Sequence, residues 1–87
     1  MDYFVYILRT SKNTLYIGQT NDLEKRINEH KTKSKRAAKY TRAFSSVNLV
    51  YSEKYSTRKE AMGREWQLKT WSKKKKEALI SGPASSE

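Results

Sequence analysis

The side chain with the clearest chemical signature is Glu65, a carboxylate set among apolar residues. A helix turns by about 100° per residue, so a helix through this stretch carries four apolar side chains on one arc: Ala61, Met62, Trp66 and Leu68. Glu65 falls between the first two of them. Burying a charge is costly unless the charge is paired or binds a metal ion. The pattern therefore indicates a metal ligand or, as the alternative, an ordinary ion pair with Lys69 one turn further along.

Two tyrosine hydroxyls form the second candidate group, because the segments that contain them are typical of paired strands. Two stretches within residues 3–17 are rich in β-branched, aromatic and aliphatic side chains, the polar residues between them favour a turn, and Gly18 ends the second stretch. With a three-residue turn, Leu8 pairs with Tyr16, so Tyr6 and Tyr16 become diagonal neighbours on one face. A two-residue turn would shift the register and separate them. The alternative is that both tyrosines are core aromatics.

The first helix is predicted from a cap signal that follows this hairpin. Asn21 and Glu24 stand at the spacing of a capping box, which predicts a helix over residues 22–33. Arg26 and His30 are four residues apart and therefore lie on one face of that helix. Because they flank its apolar stripe, both side chains point toward the sheet. The alternative is that both are ordinary surface residues.

A third strand and two further helices follow in the chain. Residues 47–55 alternate apolar and polar side chains and change pattern at Val50, which is typical of a strand covered near its middle. Thr57 and Glu60 have capping-box spacing and open the second helix. Ser72 caps a short last helix. The basic residues between the first helix and the third strand fit either a helical extension or a loop.

The predicted architecture is ββαβαα, an α+β fold in which a small three-stranded antiparallel sheet is covered by helices. Residues 1–80 form one domain, and residues 81–87 form a flexible polar tail. The chain has no cysteine, which excludes disulfides and thiolate metal sites. Its longest apolar run, Tyr3–Leu8, is too short to span a membrane. A soluble cytoplasmic protein is therefore expected.

The positive charge of the chain is large and localised. Lys and Arg number 19 against 9 Asp and Glu, for a net charge of +10, and residues 31–42 hold six basic and no acidic side chains. Such a segment attracts a polyanion such as nucleic acid, whereas no basic helix here has the strong apolar face that membrane binding needs. The alternative is a solubilising surface. The predicted nucleic-acid-binding residues are Lys31, Lys33, Lys35, Arg36, Lys39, Tyr40, Arg42 and Lys69.

These residues together resemble the signature of the GIY-YIG nuclease superfamily. Val5-Tyr6-Ile7 stands at the first tripeptide and Tyr16-Ile17-Gly18 matches the second. Arg26 and His30 match the helix signature, and Glu65 matches the lone acidic ligand of a later helix. The resemblance covers roughly residues 3–80 and is strongest to the small stand-alone bacterial members.

The resemblance implies a metal-dependent endonuclease that hydrolyses phosphodiester bonds of DNA with low sequence specificity, in DNA repair or processing. One divalent ion, Mg²⁺ or Mn²⁺, would bind to Glu65, because a single-metal site needs only one protein carboxylate. Tyr6 would orient the attacking water or take its proton, and Tyr16 would hydrogen-bond the phosphate or the water. Arg26 would hold the scissile phosphate. His30 would position a tyrosine or accept its proton.

Two departures from the family pattern keep other functions open. Val5 replaces the first glycine, and the asparagine that many members carry after the acidic helix is missing, since the last asparagine here is Asn48. The main alternative is therefore a catalytically weak or inactive nucleic-acid-binding module of the same fold. A third is an interaction module that uses two tryptophans expected to be exposed, Trp66 and Trp71. RNA stays open as a substrate, and a monomer is assumed.

Overall fold

The computed structural model describes residues 2–32 and 44–82, and this part of the chain has the predicted α+β architecture. Three antiparallel strands form one sheet in the order β2-β1-β3, so the first strand is central. Within the described residues, three helices accompany the sheet. The elements are β1 (Tyr3–Thr10), β2 (Leu15–Thr20), α1 (Leu23–Lys31), β3 (Val47–Tyr55), α2 (Arg58–Lys69) and α3 (Lys73–Ser81).

The β1–β2 hairpin has the register expected for a three-residue turn. Leu8 lies opposite Tyr16, and the Thr10 amide donates to the Thr14 carbonyl at 2.9 Å. Asn13 closes the turn with φ of 63°, a left-handed conformation that asparagine tolerates better than most residues. The tyrosines therefore share one face, as predicted.

The β1–β3 pairing contains a bulge at the position where the sequence pattern of β3 changes. Ile7 lies opposite Tyr51 and Leu8 lies opposite Leu49, so Val50 is the extra residue. The extra residue reverses the alternation of β3. Val47 and Leu49 consequently lie on the face of Leu8, whereas Tyr51 lies on the opposite face with Ile7.

The two faces of the sheet carry separate apolar clusters, and this explains the continuous apolar run of β1. On the face that carries the tyrosines, Leu23 and Ile27 of α1 pack against a cluster that contains Tyr6 and Leu8. On the other face, α2 and α3 cover a second cluster of buried residues: Val5, Ile7, Ile17, Ala61 and Leu68. Because β1 is central and covered on both sides, alternate residues of β1 enter alternate clusters.

Three local predictions were wrong in detail. The N-cap of α1 is Asp22, whose side chain accepts from the Lys25 amide, so Asn21 and Glu24 form no capping box there. The helix ends at Lys31 rather than near residue 33. Gly18 does not end the second strand, since β2 continues to Thr20.

The predicted apolar arc of α2 is also wrong, whereas its cap is right. Thr57 and Glu60 form the predicted capping box, and Ala61 and Leu68 are buried against the sheet. Met62 and Trp66, however, are 49% and 72% exposed. The sheet has only three strands, so it covers a narrow stripe of α2 and leaves the rest of the arc uncovered.

Most of the predicted basic segment and the predicted tail lie outside the described residues. The predicted contacts there are Lys33, Lys35, Arg36, Lys39, Tyr40 and Arg42. No helix within residues 2–32 and 44–82 has both the length and the apolar character needed to cross a membrane.

Candidate active site

The centre of the candidate site is a buried pair formed by Tyr6 of β1 and His30 of α1. Both residues are only 1% exposed, and the Tyr6 hydroxyl lies 3.0 Å from His30 Nε2. Tyr6 occupies the central strand, and His30 lies in the last turn of the helix above it. The sheet and α1 therefore hold the phenol and the imidazole together and shield both from most of the solvent.

Arg26 adds a positive charge to this pair from one turn earlier on α1. Its guanidinium hydrogen-bonds the Tyr6 hydroxyl, and its Nη1 also bonds Glu29 Oε1 at 3.0 Å. A guanidinium only donates, so the Tyr6 oxygen accepts from Arg26. The arrangement that satisfies all three groups has the Tyr6 O–H donating to His30 Nε2.

Tyr16 completes a three-ring cluster on the same face. Its ring centroid lies 6.4 Å from that of Tyr6 and 5.6 Å from that of His30. Tyr16 is half-buried, so it lies nearer the surface than the buried pair. The structure thus brings together four of the five predicted catalytic side chains: Tyr6, Tyr16, Arg26 and His30.

Burial controls the charge state of the pair. It raises the pKa of Tyr6 to about 12; the Arg26 hydrogen bond opposes this increase, and the nearby Tyr16 and Glu65 add to it. Burial, assisted by the positive charge of Arg26, lowers the pKa of His30. At neutral pH the phenol is therefore protonated and the imidazole is neutral, which leaves the imidazole able to accept a proton.

Glu65 approaches this cluster from α2, and its charge contributes to the raised pKa of Tyr6. The Glu65 side chain is partly shielded from solvent, with 22% of its surface exposed. Its Oε2 lies 3.0 Å from Lys69 Nζ, so the predicted ion pair is present. Glu65 is therefore held by a lysine while its negative charge acts on the buried phenol.

Glu65 offers a divalent ion one protein carboxylate, since Glu29 is already bonded to Arg26. Among residues 2–32 and 44–82, no group of three or more His, Cys, Asp or Glu side chains is arranged to hold a metal. One carboxylate suits an ion such as Mg²⁺ that takes its other ligands from water and phosphate oxygens. Glu65 fits that donor chemistry.

Positive charge borders the site on the side of β2. Lys69 lines a cleft of about 360 Å³ with Tyr16, Ile17 and Lys76. Lys31 is exposed at the C-terminal end of α1, next to His30 in sequence, and lines a separate groove with Leu23 and Ile27 among others. Of the described residues predicted to bind nucleic acid, Lys69 is thus beside the site and Lys31 is at another surface.

Three residues with a place in this site were missed at the sequence level. Gly18 lies opposite Tyr6, where a Cβ would stand 2.5 Å from the Tyr6 hydroxyl oxygen. Glu29 bonds Arg26, and its i,i+3 spacing was the available signal. Lys76 belongs to a run of four lysines, which showed that this stretch is basic but not that one of its lysines lies beside Tyr16.

Comparisons with known proteins agree with the resemblance seen in the sequence. The family model described as "GIY-YIG catalytic domain" matches residues 2–78. A UPF0213 protein of Bacillus pumilus is 44% identical over 79 residues, covering 91% of this chain and 79% of the relative. A UPF0213 protein of Staphylococcus saprophyticus is 42% identical over 79 residues, covering 91% of this chain and 94% of the relative.

A solved structure supports the same relationship. The solution NMR structure of the UPF0213 protein BH0048 from Bacillus halodurans matches with a TM-score of 0.60 at 38% identity. The match covers 97% of this chain and 90% of that chain. The predicted fold class is confirmed by this likeness together with the element order.

Proposed function

The chain belongs to the GIY-YIG family, and from that premise we propose that it is a metal-dependent endonuclease that hydrolyses DNA phosphodiester bonds with low sequence specificity. The family has a nuclease-type fold, and such a fold implies a nucleic acid substrate. The observation that carries the proposal is the buried contact between Tyr6 and His30, with Arg26 bonded to the same hydroxyl.

The Tyr6–His30 pair explains how a phenol could act near neutral pH. A phenol with a pKa of about 12 is a poor source of phenolate. Tyr6 need not ionise, because it can accept a proton from the attacking water while its own proton moves to His30 Nε2. His30 is neutral and can take that proton. Tyr6 thus orients the water and transfers the proton, and His30 is the acceptor.

Arg26 and Tyr16 would act on the phosphate. A guanidinium carries five N–H donors in a planar fork that matches the oxygens of a phosphate. Its charge would offset the negative charge that develops in the transition state. Tyr16 lies nearer the surface, where its hydroxyl can donate to the phosphate or the water.

Glu65 would hold one Mg²⁺ or Mn²⁺ ion, which when bound neutralises phosphate charge and polarises the scissile group. Lys69 pairs with the same carboxylate, so ion and lysine compete for it. The lysine that is released can then pair with a phosphate at the cleft that it lines with Tyr16 and Lys76.

Binding to DNA would depend mainly on phosphate contacts. The chain carries a net charge of +10, and six of its basic residues fall within residues 31–42. Phosphate contacts do not read sequence, so we expect low specificity and a strong dependence on salt. RNA would be bound by the same charges, and we assume a cytoplasmic monomer.

The second candidate is a nucleic-acid-binding module of the same fold with weak or absent turnover. The absence of any asparagine after Glu65 favours it. The two candidates agree on binding and differ on cleavage.

A cleavage assay separates them. Single-stranded, duplex and branched DNA are incubated with Mg²⁺ or Mn²⁺ and either the wild type, Glu65→Ala or Glu24→Ala. Glu24 is an exposed carboxylate on α1, so its substitution is the matched control. We expect cleavage by the wild type and by the Glu24 variant, and loss of cleavage with Glu65→Ala.

Two other results would contradict the proposal. Equal cleavage by the Glu65→Ala variant would indicate a contaminating nuclease. Binding without cleavage in either metal would identify the second candidate as correct.

A further inference from the structure

The outer surface of α2 carries an exposed apolar pair beside Glu65. Trp66 is 72% exposed and Met62 is 49% exposed. They are four residues apart, so their side chains are neighbours on one face. A tryptophan this exposed is unusual, because its large apolar surface gains most from contact with a partner.

The other tryptophan shows what a partnered indole looks like in this chain. Trp71 is half-buried, with the Arg64 guanidinium 5.1 Å and the Lys75 ammonium 4.3 Å from its ring centroid. It also packs against the core cluster. The indole of Trp66 is far more exposed to solvent.

Gly63 supplies an independent observation at the same place. It lies inside α2, where glycine is less favourable than alanine by about 1 kcal/mol. Its backbone is helical, so no positive φ requires glycine. A Cβ added there would meet nothing within 4 Å, so internal packing does not require glycine either. A bare helix surface of this kind suits close approach of a ligand to the backbone.

These residues line one shallow groove whose chemistry favours a nucleobase. The groove has a volume of about 450 Å³, and it is lined by Lys59, Met62, Gly63, Glu65, Trp66 and Lys69. Two lysines suit a phosphate backbone, and an exposed indole suits stacking of a base. Two apolar side chains are a small area for a protein partner, since stable protein interfaces bury about 1,000 Å² or more.

We infer that this groove binds one unpaired nucleobase, which lies over Gly63 and stacks on Trp66. The inference rests on the proposed function, because Glu65 lines the same groove and would hold the adjoining phosphate through its metal ion. Bases inside a duplex are already stacked and cannot reach the indole. The groove therefore gives the site a preference for a strand with unpaired bases, such as a single strand or a frayed end.

The test measures binding of a fluorescein-labelled oligothymidylate and of a duplex of equal length, in EDTA so that neither is cleaved. We expect Trp66→Ala to weaken binding of the oligothymidylate about tenfold or more, since stacking contributes about 1–3 kcal/mol per base. Duplex binding stays unchanged. Leu49→Ala is the matched control, because Leu49 is an exposed apolar residue on β3 outside the groove. It should change neither affinity.

Gly63→Ala separates a ligand site from a structural one. Alanine should raise the melting temperature, because it favours the helix and meets no neighbouring atom. The same methyl group would obstruct the base and weaken oligothymidylate binding. A variant that is more stable and binds less tightly is not expected from any purely structural role.

Fluorescence provides a direct readout of contact. In a Trp71→Phe variant the emission comes from Trp66 alone, since the chain has two tryptophans. We expect the oligothymidylate to quench that emission more strongly than the duplex does.

Several results would overturn the inference. If Trp66→Ala binds the oligothymidylate with unchanged affinity while the wild type cleaves DNA, the inference fails and the proposed function stands. An equal loss of affinity for the oligothymidylate and the duplex in Trp66→Ala would also overturn the inference. So would a change of oligomeric state of Trp66→Ala in sedimentation, because Trp66 would then be a contact between copies. A wild type that binds and cleaves no nucleic acid would overturn the inference and the proposed function together.

Discussion

The Tyr6 hydroxyl packs directly against the backbone of Gly18, its partner across the β1–β2 hairpin. A Cβ at Gly18 would lie 2.5 Å from the Tyr6 oxygen and 3.2 Å from a ring carbon of Tyr16. The second residue triplet of the family signature, Tyr16-Ile17-Gly18, therefore ends in glycine because the phenol of the first triplet occupies the space. The two triplets are parts of one packing unit.

Gly18→Ala should displace Tyr6 and break its contact with His30. Overpacking of this kind costs roughly 1–3 kcal/mol, because buried neighbours must shift. We expect a lower free energy of unfolding in urea and a loss of DNA cleavage. Gly63→Ala is the matched control for stability alone, since it adds the same methyl group where nothing lies within 4 Å. Equal stability of the two variants would contradict the packing account.

Folding stability should fall as the solution is made more acidic than about pH 6.5, because of His30. An unfolded histidine binds a proton near pH 6.5, whereas burial and Arg26 lower the pKa of His30 in the folded protein. The unfolded state then binds more protons, so stability is fully present above pH 6.5 and is lost as the pH falls through the folded pKa.

Urea unfolding between pH 7 and pH 5 measures this effect, and His30→Gln is the comparison. The chain has one histidine, so no other imidazole contributes. The carboxylates with lowered pKa, Glu53 and Glu77, lose their contribution at more acidic pH. We expect the wild type to lose stability in this range and His30→Gln to lose less. Parallel curves would show that burial of His30 does not control the effect.

Much of the candidate site could be predicted from the sequence because local patterns determine it. The length of the hairpin turn sets the register that brings Tyr6 and Tyr16 together, and the helical period brings Arg26 and His30 to one face. The choice between adjacent caps could not be predicted, because Asn21 and Asp22 are both good N-cap residues. In the structure the Asp22 side chain accepts from the Lys25 amide and is the cap.

The exposed face of α2 could not be predicted from periodicity. The arc that contains Met62 and Trp66 is apolar in sequence, but its burial depends on the width of the sheet beneath it. Three strands cover Ala61 and Leu68 only. The pairing of Glu53 with Arg64 was missed for a related reason, since it joins β3 to α2 across 11 residues and depends on how the helix packs.

Glu53→Gln should loosen α2 from the sheet. Glu53 accepts hydrogen bonds from Tyr51 and Tyr55 and from two nitrogens of Arg64, at 2.9 and 3.0 Å. Hydrogen bonds to charged groups contribute roughly 1.5–3 kcal/mol each, and partial exposure reduces this. We expect a loss of about 2 kcal/mol in urea unfolding, with no loss for the exposed control Glu24→Gln. A loss of equal size in both variants would indicate a general charge effect.

Replacing Lys33, Lys35 and Arg36 together by glutamine should flatten the salt dependence of DNA affinity. Each phosphate contact contributes about 0.9 to the slope of log affinity against log salt for a duplex. We expect the magnitude of the slope to fall by about 2–3 in fluorescence anisotropy titrations. The control variant removes the same charge from exposed lysines elsewhere, namely Lys12, Lys54 and Lys74. An unaltered slope would show that residues 33–36 do not contact the DNA backbone.

Lys69→Met should tighten metal binding and weaken DNA binding. Lys69 Nζ lies 3.0 Å from Glu65 Oε2, so removing the amine frees the carboxylate for an ion. Because both side chains are partly exposed, we expect only about a twofold gain in Mn²⁺ affinity, measured by electron paramagnetic resonance. DNA affinity should fall, since the lysine also lines the cleft beside Tyr16. Lys74→Met replaces an exposed lysine of α3 and should leave Mn²⁺ affinity unchanged. Weaker Mn²⁺ binding in Lys69→Met would mean that the lysine supports the metal site instead of competing with it.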